Sequence, residues 1–250
     1  MRLPRRRQAV RLGRPGGGDA RGEDRVRVGF WRSAGLIALR DLRVEIRSGE
    51  ALTVVFPFAV VASWVAPLAT NASPLLLRDL AAPVYWLITL LFGMMVVLRQ
   101  TAVETRAQRR ALALTGLDPA ARFAGRSGAS GLVLAAVAGT LVIPVIIFYD
   151  YRPPSGAWLM ALVILLAAAG LAMLGTLAGD VTIGLRARTS LAPLLMAPLA
   201  VPLLMGAAQS LESLVAGKSI ITWVLVLVIA DLGLAAAGVM SARALEEISL

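Results

Sequence analysis

The stretch SGASGLVLAAVAGTLVIPVIIFY, residues 127–149, holds no charged side chain over a length sufficient to cross a bilayer as a helix. About 20 residues of α-helix span the hydrocarbon layer. Four other intervals are equally free of charge: 51–77, 80–98, 153–179 and 189–211. A sixth apolar stretch, 219–242, is interrupted only by Asp231. The sequence therefore predicts an all-α polytopic membrane protein with six transmembrane helices, near 52–70, 81–99, 128–149, 157–179, 191–211 and 220–240.

The composition of the 250-residue chain agrees with this fold class. Apolar residues make up 58% of the chain and charged residues 16%, whereas soluble domains are about half apolar and a quarter charged. The chain contains neither Cys nor His. These absences exclude disulfides, thiolate or imidazole metal sites and a Ser-His-Asp triad. We therefore predict a protein that is not an enzyme, has no metal site and binds no cofactor firmly.

The distribution of arginine predicts the orientation of the chain in the membrane. Residues 1–50 carry 13 Arg and 6 acids, and the connections at 99–126 and 180–190 are also basic, while the alternate connections are nearly neutral. Because positive loops remain in the cytoplasm, both termini are expected there. The net charge of +10 follows from this bias and does not indicate nucleic-acid binding.

The chain divides into two unequal parts. Residues 1–29 form a Gly- and Arg-rich arm without hydrophobic periodicity and without the apolar core of a signal peptide. This composition predicts a disordered basic arm. The remaining residues, 30–250, form the transmembrane domain.

An amphipathic helix is predicted immediately before the first span. Apolar residues recur there at spacings of three and four, at Leu36, Leu39, Leu42 and Ile46. Gly49 is suited to end the helix. Two interpretations remain open, a surface anchor on the lipid bilayer and a docking platform for a partner protein.

The connection at 99–126 predicts a second cytoplasmic helical element. An apolar helix face is formed by Val103, Ala107, Ala111 and Leu114. Gly116 is placed to stop this helix, and Asp118-Pro119 reads as the N-cap and first position of the next one. A transporter driven by a cytosolic ATPase needs such a rigid contact, although an ordinary solvated loop with a helical turn would also fit the pattern.

Four residues within the predicted spans are candidates for a functional role. Pro193, Pro198 and Pro202 lie close together in the fifth span and predict a kinked or broken helix, either static or deformable beside a pathway. Asp231 is the one ionisable residue well inside a span. Such acids face the bundle interior, where they serve coupling or a substrate path, or pack as a protonated, hydrogen-bonded group.

From about residue 36 to its C-terminus, the chain resembles the CcmB-like permease family, the B subunit of the cytochrome c maturation haem exporter. The most specific matching blocks are RDLRVEIRSGEAL at 40–52 and the proline block SLAPLLMAPLAVPLL at 190–204. Further blocks match at 82–100 (APVYWLITLLFGMMVVLRQ) and 112–126 (LALTGLDPAARFAGR). The order and spacing of these blocks match throughout.

The resemblance implies an ABC exporter permease architecture for residues 30–250, with no ATPase domain in this chain. Its expected partners are an ABC ATP-binding subunit and the other membrane subunits of the cytochrome c maturation complex. Haem is then the transported substrate, and the bacterial cytoplasmic (inner) membrane is the location. Alternatives are a permease of similar architecture that exports a lipid, drug or glycan, and a membrane scaffold that transports nothing.

The segment after the second span departs from the family pattern. Family members carry E-x-x-D-G-x-L-E there, a segment expected to dock on the ATPase. Glu104 is retained in this sequence, while the Asp-Gly pair is replaced by Ala107-Gln108, the leucine by Arg110 and the second acid by Ala111. The predicted ATPase-coupling residues are Glu104, Arg106, Arg109, Arg110 and Asp118.

Overall fold

The computed structural model describes residues 29–49, 51–70, 73–103, 118–151, 157–184 and 191–249. Within these ranges the chain forms seven α-helices, one π-helical turn and no strand. The helices are α1 (Phe30–Ser48), α2 (Phe56–Thr70), α3 (Pro74–Val103), α4 (Pro119–Tyr149), α5 (Ala157–Gly184), α6 (Leu191–Val215) and α7 (Ile221–Ser249), and the π-helical turn is Ala51–Val55. The predicted all-α fold class is confirmed. The predicted arm at 1–29 lies outside the described residues, apart from Gly29.

The helices α3 to α7 each contain a segment long and apolar enough to cross a membrane. The first predicted span, near 52–70, is built differently, because α2 alone has only 15 residues. The segment Thr53–Ala69 meets the same criterion together with α1, from which it is bent by 45°. The structure thus has five unbroken spanning helices and one bent pair within the described residues.

Two helices extend beyond the predicted spans at the N-terminal side. The helix α3 begins at Pro74, where a span from 81 was predicted, and α4 begins at Pro119, where a span from 128 was predicted. The predicted limits marked the edge of the apolar segment. An α-helix continues past that edge because its hydrogen bonds are satisfied within the helix, and proline favours its first turn.

The central helix of the bundle is α5. In its apolar segment 61% of the residues are buried inside the structure, compared with 22% in that of α7. The helix α4 packs alongside α5 and contacts α1, α2, α3 and α7 as well. Much of the surface of α7 is therefore exposed on the outside of the bundle, while α4 and α5 carry the packing of the bundle.

Tyrosine hydroxyls connect the helices within this core. The Tyr85 hydroxyl of α3 donates to the Ala138 carbonyl of α4 over 2.9 Å. The Tyr149 hydroxyl donates to the Ser63 carbonyl of α2 over 3.0 Å. In a bilayer, apolar burial does not by itself favour helix association, so interhelical hydrogen bonds and close packing hold such a bundle together.

Candidate functional site

The predicted amphipathic helix is present as α1, and it ends as expected. Gly49 adopts a left-handed conformation (φ 63°), and its N–H donates to the Glu45 carbonyl over 2.9 Å. The Thr53 N–H then donates to the Gly49 carbonyl over 2.8 Å. The cap connects α1 directly to the π-helical turn and the first span.

Three of the four residues of the apolar stripe of α1 point away from the bundle, while Leu42 packs against the hydrophobic core. Leu36, Leu39 and Ile46 are exposed, and Leu42 is half-buried. The opposite face, which includes the buried Ser33 and Ala34, packs against α4. Most of the stripe predicted from the sequence is therefore available to an outside surface, while Leu42 and smaller residues hold α1 to the protein.

A close approach of α1 to α4 occurs at Gly125. A Cβ atom placed on Gly125 would lie 2.6 Å from the Ala34 backbone carbonyl oxygen and 2.8 Å from Ile37 Cβ. Real Cβ atoms do not come this near to backbone atoms, so any side chain at position 125 would force the helices apart. We call Ala34, Ile37 and Gly125 the α1–α4 joint.

Asp118 caps the helix that carries this joint. Its carboxylate accepts a hydrogen bond from the Ala120 N–H over 2.9 Å, and Pro119 occupies the first helical turn. The predicted N-cap is confirmed. The carboxylate is thus engaged with the α4 backbone, and its position fixes where α4 starts. The other predicted coupling residues, Glu104, Arg106, Arg109 and Arg110, lie outside the described residues.

An ion pair connects α4 and α5 at the same end of the bundle. Arg126 Nη1 lies 3.2 Å from Asp180 Oδ1, and the side chains are only 16% and 17% exposed. This end also carries α1 and the C-terminal part of α7 with Arg243. We call it the basic end. At the opposite end, Arg78 pairs with Asp150.

Asp231 lies inside the bundle, as predicted for an acid within a span. Asp231 is only 9% exposed, and its Oδ1 has no hydrogen-bond partner in the described parts of the chain. A Cβ atom placed on Gly170 of α5 would collide with Asp231 Oδ1 and lie 2.5 Å from Leu203 Cδ2. The carboxyl group thus occupies the space left by a missing side chain where α5, α6 and α7 meet.

The prolines of the fifth span do not break it. The helix α6 is continuous from Leu191 to Val215, with Pro198 and Pro202 in its interior and Pro193 in its first turn. Pro198 and Pro202 are exposed, while Ala200 and Leu203 are buried. A proline four residues after another removes hydrogen bonds along one side of a helix only. Here that side faces away from the core, so the remaining bonds keep α6 continuous.

Comparison with known protein families gives a match to the CcmB protein family over residues 33–247. The chain belongs to this family. Membership supports, in general terms, a permease subunit of an ABC-type haem exporter in cytochrome c maturation and a multi-pass protein of the inner membrane. A search of curated proteins found none that matches the chain.

In this CcmB family member, the described residues offer no metal site. No group of three or more His, Cys, Asp or Glu side chains comes together in the part of the chain that the structure describes. An apolar groove of about 300 Å³ lies between α4, α5 and α7, and Phe123, Gly131 and Met173 are among its lining residues. Its lining offers apolar contact surface in place of ionic ligands.

The sequence reasoning missed two features of this CcmB family member. Within the sequence, Arg126 contributes only to the positive charge of the connection at 99–126, and nothing distinguishes Gly125 from the other glycines. A signal for the pair exists, because Asp180 is the single acid of the connection at 180–190. No comparable signal marks Gly125, since its role depends on a helix that is distant in sequence.

Proposed function

We propose that this chain couples a separate ATP-binding subunit to haem or haem-chaperone handling in cytochrome c maturation. In this proposal the basic end faces the cytoplasm and receives the ATP-binding subunit. The family membership and the distribution of arginine support it. Haem export is the general role of the family. The contact with an ATP-binding subunit and the coupling to that subunit are proposed for this chain.

The observation that carries the proposal is the α1–α4 joint. A subunit that receives force from an ATPase needs an element at the membrane surface in rigid contact with the spans. The glycine contact at Gly125 brings α1 into backbone contact with α4. The helix α4 in turn packs against α5 and is paired with it through Arg126 and Asp180. Displacement of α1 or of the start of α4 would therefore move the centre of the bundle.

The segment proposed to contact the ATP-binding subunit is the connection between α3 and α4. It contains Glu104, Arg106, Arg109 and Arg110 and leads into Asp118, which fixes the start of α4. We propose that its arginines meet acidic residues of the partner. The altered family motif supports a partner surface of matching, opposite charge.

Reversing two of these charges tests the docking segment. We expect the Arg109→Glu/Arg110→Glu variant to retain at most about one tenth of the co-purified ATP-binding subunit, because like charges across an interface cost several kcal/mol. Arg243→Glu is the matched control, since Arg243 is exposed at the same end but belongs to α7. Pull-down from membranes followed by quantitative mass spectrometry measures both. If both variants co-purify the same amount of the ATP-binding subunit, its docking site lies elsewhere on the chain.

The chain contains no His and no Cys, so it has no imidazole or thiolate ligand for the haem iron. We propose that haem passes along apolar surface, with arginine contacts to its propionates, and that firm iron ligation comes from partner subunits. We expect the purified chain alone to show no low-spin spectrum of the bis-nitrogen type when haem is added. Absorption and electron paramagnetic resonance spectra provide the measurement. A stable bis-nitrogen spectrum from the chain alone would contradict the proposal.

Gene deletion distinguishes haem from another cargo. Loss of holo-cytochrome c on deletion, restored by the wild-type chain, is the expected result. Intact cytochrome c together with altered efflux of a lipid, drug or glycan would show that the permease serves another substrate. An unchanged phenotype on inactivation of the ATP-binding subunit would instead favour a scaffold that does not transport.

A further inference from the structure

The side of α1 that points away from the bundle combines apolar and basic side chains. Leu36, Leu39 and Ile46 are 57%, 59% and 72% exposed. Four exposed arginines flank them: Arg32, Arg40, Arg43 and Arg47. We call these seven residues the outward face of α1. Apolar residues beside arginines on one helix are typical of a helix that lies in the interface of a membrane.

The charges of α1 are sorted between its two sides. Its only acids, Asp41 and Glu45, are half-buried, whereas the four arginines are all exposed. Helical spacing places both acids on the same side as Ala34 of the α1–α4 joint. The outward face therefore carries four positive charges and no negative charge, so it is complementary to an anionic surface.

The connection to the first span places this face at the level of the membrane surface. The cap at Gly49 and the hydrogen bond from the Thr53 N–H to the Gly49 carbonyl leave no spacer between α1 and the π-helical turn. The joint at Gly125 holds α1 against the beginning of α4, a spanning helix. Both ends of α1 are thus held against the ends of candidate membrane spans.

We infer that the outward face of α1 binds acidic phospholipids of the adjacent leaflet. The arginines contact the phosphates, and the three apolar side chains enter the boundary of the acyl chains. In this inference α1 is a surface anchor on the lipid bilayer and not a docking platform for a partner protein. The inference does not depend on the proposed coupling, because it concerns a different surface from the segment proposed to meet the ATP-binding subunit.

Site-directed spin labelling tests the inference on the full chain, which contains no native cysteine. Leu39→Cys reports on the outward face. Ile147→Cys, exposed within α4, is the lipid reference, and Lys218→Cys, exposed in the turn after α6, is the aqueous reference. Labelled chains are reconstituted in phosphatidylcholine vesicles with and without phosphatidylglycerol. Collision rates with oxygen and with a nickel chelate then give the exposure of each label to lipid and to water.

With phosphatidylglycerol present, the label at position 39 is expected to show a severalfold lower collision rate with the nickel chelate than the label at 218. Replacing the four arginines with glutamine, or adding salt to the otherwise unmodified labelled chain, is expected to raise that rate severalfold. The label at 147 should not change. Arg243→Gln is the matched control for loss of charge at the basic end.

Two results would overturn the inference. One is a label at 39 that is as accessible to the nickel chelate as the label at 218, whichever lipid is used. The other is protection of position 39 only after the ATP-binding subunit is added, which would identify a protein-docking surface. The salt titration needs no arginine substitution, so the test holds even if the fourfold variant does not fold. The single variant Arg43→Gln provides a milder change in the same direction.

Discussion

Replacing Gly125 with alanine is expected to reduce both the stability of the protein and the formation of holo-cytochrome c. The added Cβ would lie 2.6 Å from the Ala34 backbone oxygen, and a backbone atom cannot move aside by a change of rotamer. The helix α1 must therefore shift relative to α4. Overpacking of this kind costs about 1–3 kcal/mol. In the proposed function it also weakens the contact through which α1 and α4 move together.

Gly128→Ala is the matched control for this prediction. Gly128 lies on the same helix, less than one turn further on, and a Cβ placed there meets no atom within 4 Å. Both substitutions gain about 1 kcal/mol in intrinsic helix propensity, so only the collision differs. Membrane abundance, the thermal unfolding midpoint in detergent and holo-cytochrome c yield are measured side by side. If Gly125→Ala matches Gly128→Ala in all three, the α1–α4 joint has no such role.

Stability and coupling can be separated at the joint. A variant that is present at normal abundance and still co-purifies the ATP-binding subunit, yet yields little holo-cytochrome c, has lost coupling. A variant that disappears from the membrane has lost stability only and leaves the proposed function untouched. The ATPase activity of the co-purified complex adds a further readout, since an uncoupled complex hydrolyses ATP without maturation.

The second large effect is expected within the membrane, at Gly170. In the Gly170→Ala variant the new methyl group collides with Asp231 Oδ1 and lies 2.5 Å from Leu203 Cδ2. The added methyl group has to displace these two side chains within the packed interior, so we expect a loss of about 1–3 kcal/mol and a clearly lower unfolding midpoint. Gly139→Ala serves as the control, since Gly139 is exposed in α4 and has no atom within 4 Å of its Cβ position.

A double-mutant cycle establishes whether the collision with Asp231 is the cause. If it is, Gly170→Ala should destabilise the Asp231→Ala protein less than the wild type, with a coupling energy of about 0.5–3 kcal/mol. Purely additive effects would assign the loss to Leu203 instead. Thermal and chemical unfolding of the four proteins in the same detergent gives the comparison.

Asp231→Asn separates a packing role from a functional one at the carboxyl group. The substitution keeps the shape and removes the acid. We expect the unfolding midpoint to stay close to that of the wild type, because Asp231 Oδ1 has no hydrogen-bond partner within the described residues that the substitution would remove. Loss of holo-cytochrome c at unchanged stability would show that the acid acts in the mechanism. Unchanged activity would assign Asp231 to packing.

The features that the sequence predicted correctly rest on local physics. A charge-free run such as 127–149 predicts a spanning helix because charged groups are costly in hydrocarbon. Asp118 and Gly49 predicted helix ends because a carboxylate accepts backbone N–H groups and glycine tolerates positive φ. Each of these arguments needs only neighbouring residues.

The π-helical start of the first span and the continuity of α6 were not predictable in the same way. The charge-free interval at 51–77 marks the apolar length but not how the backbone enters it. The prolines predicted a kinked or broken span, and the break is absent: α6 is continuous, with Pro198 and Pro202 on its exposed side. Which side of α6 is buried depends on its neighbours, and sequence periodicity in a nearly uniform apolar helix does not reveal it.

By itself, the sequence determined the fold class, the spanning segments, the C-terminal end of α1 and the start of α4, because bilayer thickness and helix capping act on contiguous residues. Only the tertiary structure decided that the stripe of α1 faces outward, that Gly125 admits the Ala34 backbone and that Asp231 fills the space beside Gly170. Each of these contacts joins residues far apart in the chain. Their distances are set by how whole helices pack, which no local pattern specifies.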